Sequence, residues 1–75
     1  SLNYSDSHTD MMLDFSVMNE PDIELRLSKL CYCACFLHGQ GRAFGLLLPN
    51  QPVIAVDSGE MHLRSVLTAL AMFAV

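Results

Sequence analysis

The run Ala43-Phe44-Gly45-Leu46-Leu47-Leu48 carries no polar side chain and is closed off by Pro49-Asn50-Gln51-Pro52. A short, continuous apolar run between turn signals reads as an interior strand of an α/β sheet. The turn leads directly into Val53-Ile54-Ala55-Val56, a second, β-branched run. A connection this short permits only an antiparallel hairpin. The rest of the chain must therefore cover and extend this pair.

Upstream, Met11, Leu13, Phe15 and Val17 alternate with Met12, Asp14, Ser16 and Met18, which predicts a strand over about 10–17 with one fully apolar face. In Asn19-Glu20-Pro21-Asp22, Asn19 suits a helix N-cap and Pro21 suits the first turn. The helix expected over about 20–38 places Ile23, Leu27, Leu30, Ala34 and Leu37 on one stripe, with Arg26 and Lys29 on the other side. Beyond Leu30 it is apolar all round, which implies burial on every side, and Gly39 fits the left-handed position past its end. The hairpin strands are expected over about 42–48 and 53–56. Asp57-Ser58-Gly59-Glu60 reads as a capping box for a second helix over about 58–73. Its inner stripe is Leu63, Val66, Leu67, Leu70 and Phe73, with His62, Arg64, Ser65 and Thr68 outward.

The order is β-α-β-β-α, an α/β chain. A helical crossover makes strands one and two parallel and the connection right-handed. The expected architecture is a three-stranded mixed sheet, order 1-2-3, with strand three antiparallel and two helices. Residues 1–9 form a polar lead-in and 10–75 one small α/β domain.

The chain has 75 residues, of which 52% are hydrophobic and 16% charged. Globular domains average ~45–50% apolar and ~25% charged residues, and one this small buries only about 60% of its unfolded surface. With no initial Met and the ending Ala71-Met72-Phe73-Ala74-Val75, this composition suggests an excised part of a longer protein, or an obligate oligomer. The net charge of −4, with Arg26, Lys29, Arg42 and Arg64 scattered, excludes a phosphate-neutralising surface and hence nucleic-acid binding. No segment offers the roughly 20 apolar residues of a bilayer-crossing helix. The polar, acidic start lacks the basic region of a signal peptide.

Met12-Leu13-Asp14-Phe15, Glu24-Leu25-Arg26-Leu27-Ser28-Lys29-Leu30-Cys31, Phe44-Gly45-Leu46-Leu47-Leu48-Pro49, and Ser58-Gly59-Glu60-Met61-His62-Leu63-Arg64 with Leu67 to Phe73 resemble the C-terminal part of the bacterial "domain of unknown function 58" family. The likeness runs from about residue 11 to 73. It implies a fragment of a von Willebrand factor A-like fold, whose parent sits on the cytoplasmic side of a membrane through N-terminal helices absent here. It also implies partnership with a MoxR-type AAA+ ATPase, such proteins often being encoded nearby. The family has no established activity.

A von Willebrand A domain holds a divalent cation through D-x-S-x-S after its first strand, because hard cations take carboxylate and hydroxyl oxygens. Here Asp14-Phe15-Ser16-Val17-Met18 keeps the Asp and the first Ser, but Met18 replaces the second. Asp14 and Ser16 are thus weak candidates for Mg²⁺, and no cofactor is expected. Asp57, Ser58 and His62 are the residue types of a hydrolase triad, yet they crowd into one and a half helical turns, whereas a triad needs separate elements. No catalytic residue is assigned. Cys31, Cys33 and Cys35 are odd in number and spaced unlike a zinc knuckle. Cys31, Cys35 and His38 could converge on a helix, but the expectation is three reduced cysteines with at least two buried. His38 suits a helix C-terminus, and the five methionines suit core filling.

The resulting reading is a non-enzymatic protein-interaction module, with a cation-dependent binder through Asp14 and Ser16 as the alternative. Strand one has an open edge without Pro or Lys, and the first helix is apolar around Tyr32, Cys33 and Phe36. A homodimer pairing strand one with its copy is expected, with Met11, Leu13, Phe15, Tyr32 and Phe36 at the interface.

Overall fold

The computed structural model describes residues 11–75. The lead-in and the expected first strand residue, Asp10, lie outside the described residues. Strand β1 covers Met11–Asp14, helix α1 Ile23–Gly39, strand β2 Phe44–Leu47, strand β3 Ile54–Asp57 and helix α2 Glu60–Ala74. The sheet order is β1-β2-β3, with β1 parallel to β2 and β3 antiparallel to it. The architecture is the α/β mixed sheet with two helices that the hydrophobic patterning predicts.

Register places Met11 beside Phe44 and Leu13 beside Leu46 on one face, and Met12 beside Gly45 and Asp14 beside Leu47 on the other. The first face meets α1 and α2, which pack on each other. One core results, built from Leu13, Phe15, Leu27, Leu30, Ala34, Leu37, Phe44, Leu46, Leu48, Val66 and Leu70. Ala34 and Val66 are wholly buried, as small residues must be where two helices meet. On the opposite face Met12 lies over Gly45, its Sδ and Cε 3.0 Å from where a Cβ on that glycine would stand. A register shift between Phe44 and Leu46 bulges the β2–β3 ladder.

Several expected boundaries move, each for a local reason. β1 stops at Asp14 rather than residue 17, because the Asp14 carboxylate accepts hydrogen bonds from the Ser16 N–H and hydroxyl and curls Phe15–Val17 into a 3₁₀ turn. Helix α1 starts at Ile23 rather than residue 20. The residue before a proline is pushed out of the helical region, which excludes Glu20. Asp22, not Asn19, is the N-cap and accepts from the Glu24 and Leu25 amides. At the other end the left-handed residue is Gly41 (φ 71°), whereas Gly39 is still helical. The Asp57–Glu60 capping box does not form. Asp57 stays in β3 opposite Phe44 and accepts from the Ser58 N–H, while Gly59 (φ 99°) takes the cap position without a side-chain bond.

Burial also departs from expectation. Within this chain α1 is not enclosed on every side: Leu25, Tyr32 and Phe36 are 50%, 71% and 52% exposed, and Ile23 is exposed too. His62, expected outward, is buried and sits against the Phe44 carbonyl oxygen. None of the cysteines is fully buried. Cys31 and Cys33 are half-buried, Cys35 is exposed, and all three are free thiols.

Candidate functional site

Parallel strands of an α/β sheet present their carboxyl ends as the natural place for a ligand. Here β1 ends at Asp14 and β2 at Leu47, neighbours in the ladder. A cleft of about 210 Å³ opens there, lined by Asp14, Ser16, Leu47, Leu48 and Pro49. Asp14 and Ser16 are therefore brought together. The Ser16 hydroxyl donates to Asp14 Oδ1 at 2.8 Å and the Ser16 N–H to the same oxygen at 2.9 Å. The pairing was legible in the chain; the apolar wall of Leu47, Leu48 and Pro49 was missed, although a parallel β1–β2 pair puts the end of one beside the end of the other.

The carboxylate at this cleft serves as the cap of the 3₁₀ turn. One carboxylate and one hydroxyl supply at most three oxygens, against the six to eight that hard cations take. Met18 adds none. Among the described residues no three His, Cys, Asp or Glu side chains come together to hold a metal ion.

The turn after β1 is clamped from α1. Arg26 donates from Nε and Nη2 to the Glu20 carbonyl oxygen at 2.8 and 2.6 Å, and from Nη1 to the Phe15 carbonyl oxygen at 3.4 Å. Its guanidinium lies 4.6 Å from the centre of the Phe15 ring. Phe15 in turn packs edge-on against Phe73 at 5.3 Å. Glu20 accepts from the Asp22 N–H and pairs with Lys29 at 3.2 Å. The Asp22 N–H first, and then Lys29, hold the Glu20 carboxyl below the ordinary carboxylate range. No motif in the chain signalled this role for Arg26; its only trace is a cation, with Lys29, on the polar side of an apolar helix.

The expected interface residues divide into two groups. Leu13 and Phe15 are core residues, and Met11 packs partly against the core. Tyr32 and Phe36 stand in solvent on the outer face of α1, their rings nearly parallel (18°) with centres 6.4 Å apart. Leu25 lies on the same face, two turns before Tyr32, so the helix carries an exposed apolar stripe.

Asp57, Ser58 and His62 do not converge as a triad. Asp57 engages the adjacent amide and His62 is turned into the core against Phe44. His38 is half-buried in the last turn of α1. Cys31 and Cys35 stand one helical turn apart; burial first, and then the neighbouring Cys35, pushes the Cys31 thiol up. A second cleft, about 230 Å³ and largely apolar, lies between Leu46, Leu48, Pro52, Val53, Ile54 and Ala69. No helix among the described residues is long and apolar enough to cross a membrane.

No protein-family model, curated protein or solved structure matches this chain. The likeness to the bacterial family thus rests on the short stretches quoted for it.

Proposed function

We propose that this chain is a non-enzymatic protein-interaction module, a piece of a von Willebrand A-like domain that docks a MoxR-type AAA+ ATPase. The observation that carries the reading is the stacked, solvent-facing pair Tyr32 and Phe36 on α1. Large rigid aromatics held half or more in water add little to the core of the monomer, and they are the residue types that anchor protein interfaces. The family resemblance supplies the class of partner. The test is fluorescence anisotropy of the labelled chain against a purified MoxR-type ATPase. Saturable binding, lost in the double variant Tyr32→Ala and Phe36→Ala with its melting temperature unchanged, supports the reading. No binding, or equal binding by the variant, rejects it.

Self-association belongs to the same reading. Among the described residues β1 pairs only with β2, which leaves its outer edge for pairing with a second copy. With Leu13 and Phe15 in the core, only their backbone is available for this, beside the exposed rings of α1. Sedimentation at micromolar concentration should find a dimer that Met12→Lys, an edge charge, dissociates; a monomer rejects it.

The cleft beside Asp14 and Ser16 favours one further reading, a divalent-cation-dependent binder. The protein oxygens, three at most, would have to be completed by water, as Mg²⁺ sites often are. A rise in melting temperature with millimolar Mg²⁺ or Mn²⁺, abolished by Asp14→Asn, is its signature. An unmoved transition disposes of it.

A further inference from the structure

Helix α1 carries two thiols one turn apart on a single face. Cys35 is exposed, Cys31 is half-buried, and both are free. Residues four apart on a helix hold their Cβ atoms about 5–6 Å from each other. Cys33 lies roughly 200° round the helix from Cys31 and so cannot join them. Each sulfur hangs from one rotatable bond on a rigid helix, so the separation of the pair adjusts while the backbone stays fixed.

Donor type and donor number decide what such a pair can take. Thiolates select soft ions over Mg²⁺ or Ca²⁺. A structural zinc site wants four ligands, yet among the described residues no third His, Cys, Asp or Glu joins a pair closely enough to hold a metal. Two sulfurs with nothing further suit an ion content with two soft donors in line. We propose that Cys31 and Cys35 form a two-coordinate site for a soft monovalent d¹⁰ metal ion with the chemistry of Cu(I).

Binding breaks two S–H bonds and forms two S–metal bonds. Two protons leave to solvent and no oxidation state changes. The bis-thiolate complex carries one net negative charge. Tyr32 and Phe36 follow Cys31 and Cys35 by one residue each, so the aromatic pair runs alongside the thiols in the same register. That places an apolar shoulder beside the site. The site is separate from the Asp14 cleft and does not depend on the docking function.

The probe is Cu(I) itself, titrated anaerobically into the reduced chain against bathocuproine disulfonate. The expected result is one Cu(I) per chain withheld from the chelator, with two sulfur neighbours in X-ray absorption. Cys33→Ser should bind as the parent does. Cys35→Ser alters an exposed position and should melt like the parent while binding roughly tenfold or more weakly, as loss of one of two donors demands. Quantitative loss of copper to the chelator from the parent chain overturns the proposal. So does undiminished binding by Cys35→Ser, or equal weakening by Cys33→Ser.

Discussion

The His62 ring nitrogen meets the Phe44 carbonyl oxygen at 2.5 Å, and the two rings pack edge-to-face with centres 4.8 Å apart. A helix side chain thereby ties α2 to the central strand, through a polar contact inside an apolar core. Replacing His62 with Leu keeps the volume roughly and removes the donor. Leaving a buried carbonyl without its partner costs about 1–3 kcal/mol. Urea unfolding should show the midpoint falling accordingly; an unchanged midpoint would mean that the contact carries no weight.

The two glycines at the end of α1, Gly39 within it and Gly41 past it, should respond in opposite directions to alanine. Gly39 is helical and nothing crowds the position of a Cβ there, so Gly39→Ala should stabilise by about 0.5–1 kcal/mol. Gly41 sits at φ 71°, where an L side chain costs about 1–2 kcal/mol. Gly41→Ala should therefore lower the thermal midpoint. A reversed order would restore Gly39 as the left-handed residue.

Gly45→Ala meets a harder obstacle. Its Cβ would stand 2.6 Å from the Ile54 carbonyl oxygen, a backbone atom of the neighbouring strand, and 3.0 Å from the Met12 thioether. The thioether can swing away but the carbonyl cannot without disturbing the ladder. Overpacking of this kind costs about 1–3 kcal/mol. Chemical denaturation of the variant reads it directly, and wild-type stability would refute the close approach.

Arg26→Lys should not be conservative. The paired donors on the Glu20 carbonyl oxygen need a guanidinium fork, and so does the contact over the Phe15 ring. A loss of about 1–2 kcal/mol is expected. A double-mutant cycle with Phe15→Leu should show non-additivity, since the two side chains touch. Additive effects would separate them.

Acid should loosen the start of α1 through Glu20. Its carboxyl is held below the ordinary range by the Asp22 N–H and by Lys29. A group depressed on folding contributes stability above its unfolded pKa, near 4.3 for glutamate. That contribution is lost as pH falls through the lower, folded value. Carbon-detected NMR should place the Glu20 midpoint below the ordinary glutamate value, and Lys29→Met should move it back up. A midpoint at or above that value would show the bonds to be idle in solution.

The topology was legible because Ala43 to Leu48 can only be an interior strand, and the chain before it is long enough for a helical crossover. The element ends were less legible, because side chain–backbone bonds compete at each of them. Asp14 could have continued a strand as readily as capping a turn, and Asp22 and Asn19 are equally good cap residues by type. His62 was misplaced by polarity, although its spacing puts it on one stripe with Val66 and Leu70. At the candidate sites, adjacency was readable for Asp14 with Ser16 and for Cys31 with Cys35. Exposure of Cys35 and the clamp formed by Arg26 depend on contacts between elements distant in the chain, which periodicity does not encode.

The strand order has a consequence for how the protein breathes. Among the described residues β2 alone has a hydrogen-bonded neighbour on each side, and Phe44 and Leu46 within it are each only 1% exposed. β1 and β3 can each peel from it singly, while releasing β2 requires both to leave and the helices to lift. Amide protons of Phe44 to Leu47 are therefore the last to trade with deuterium, and their exchange reports global unfolding, whereas those of β1 and β3 report local opening at a lower free energy.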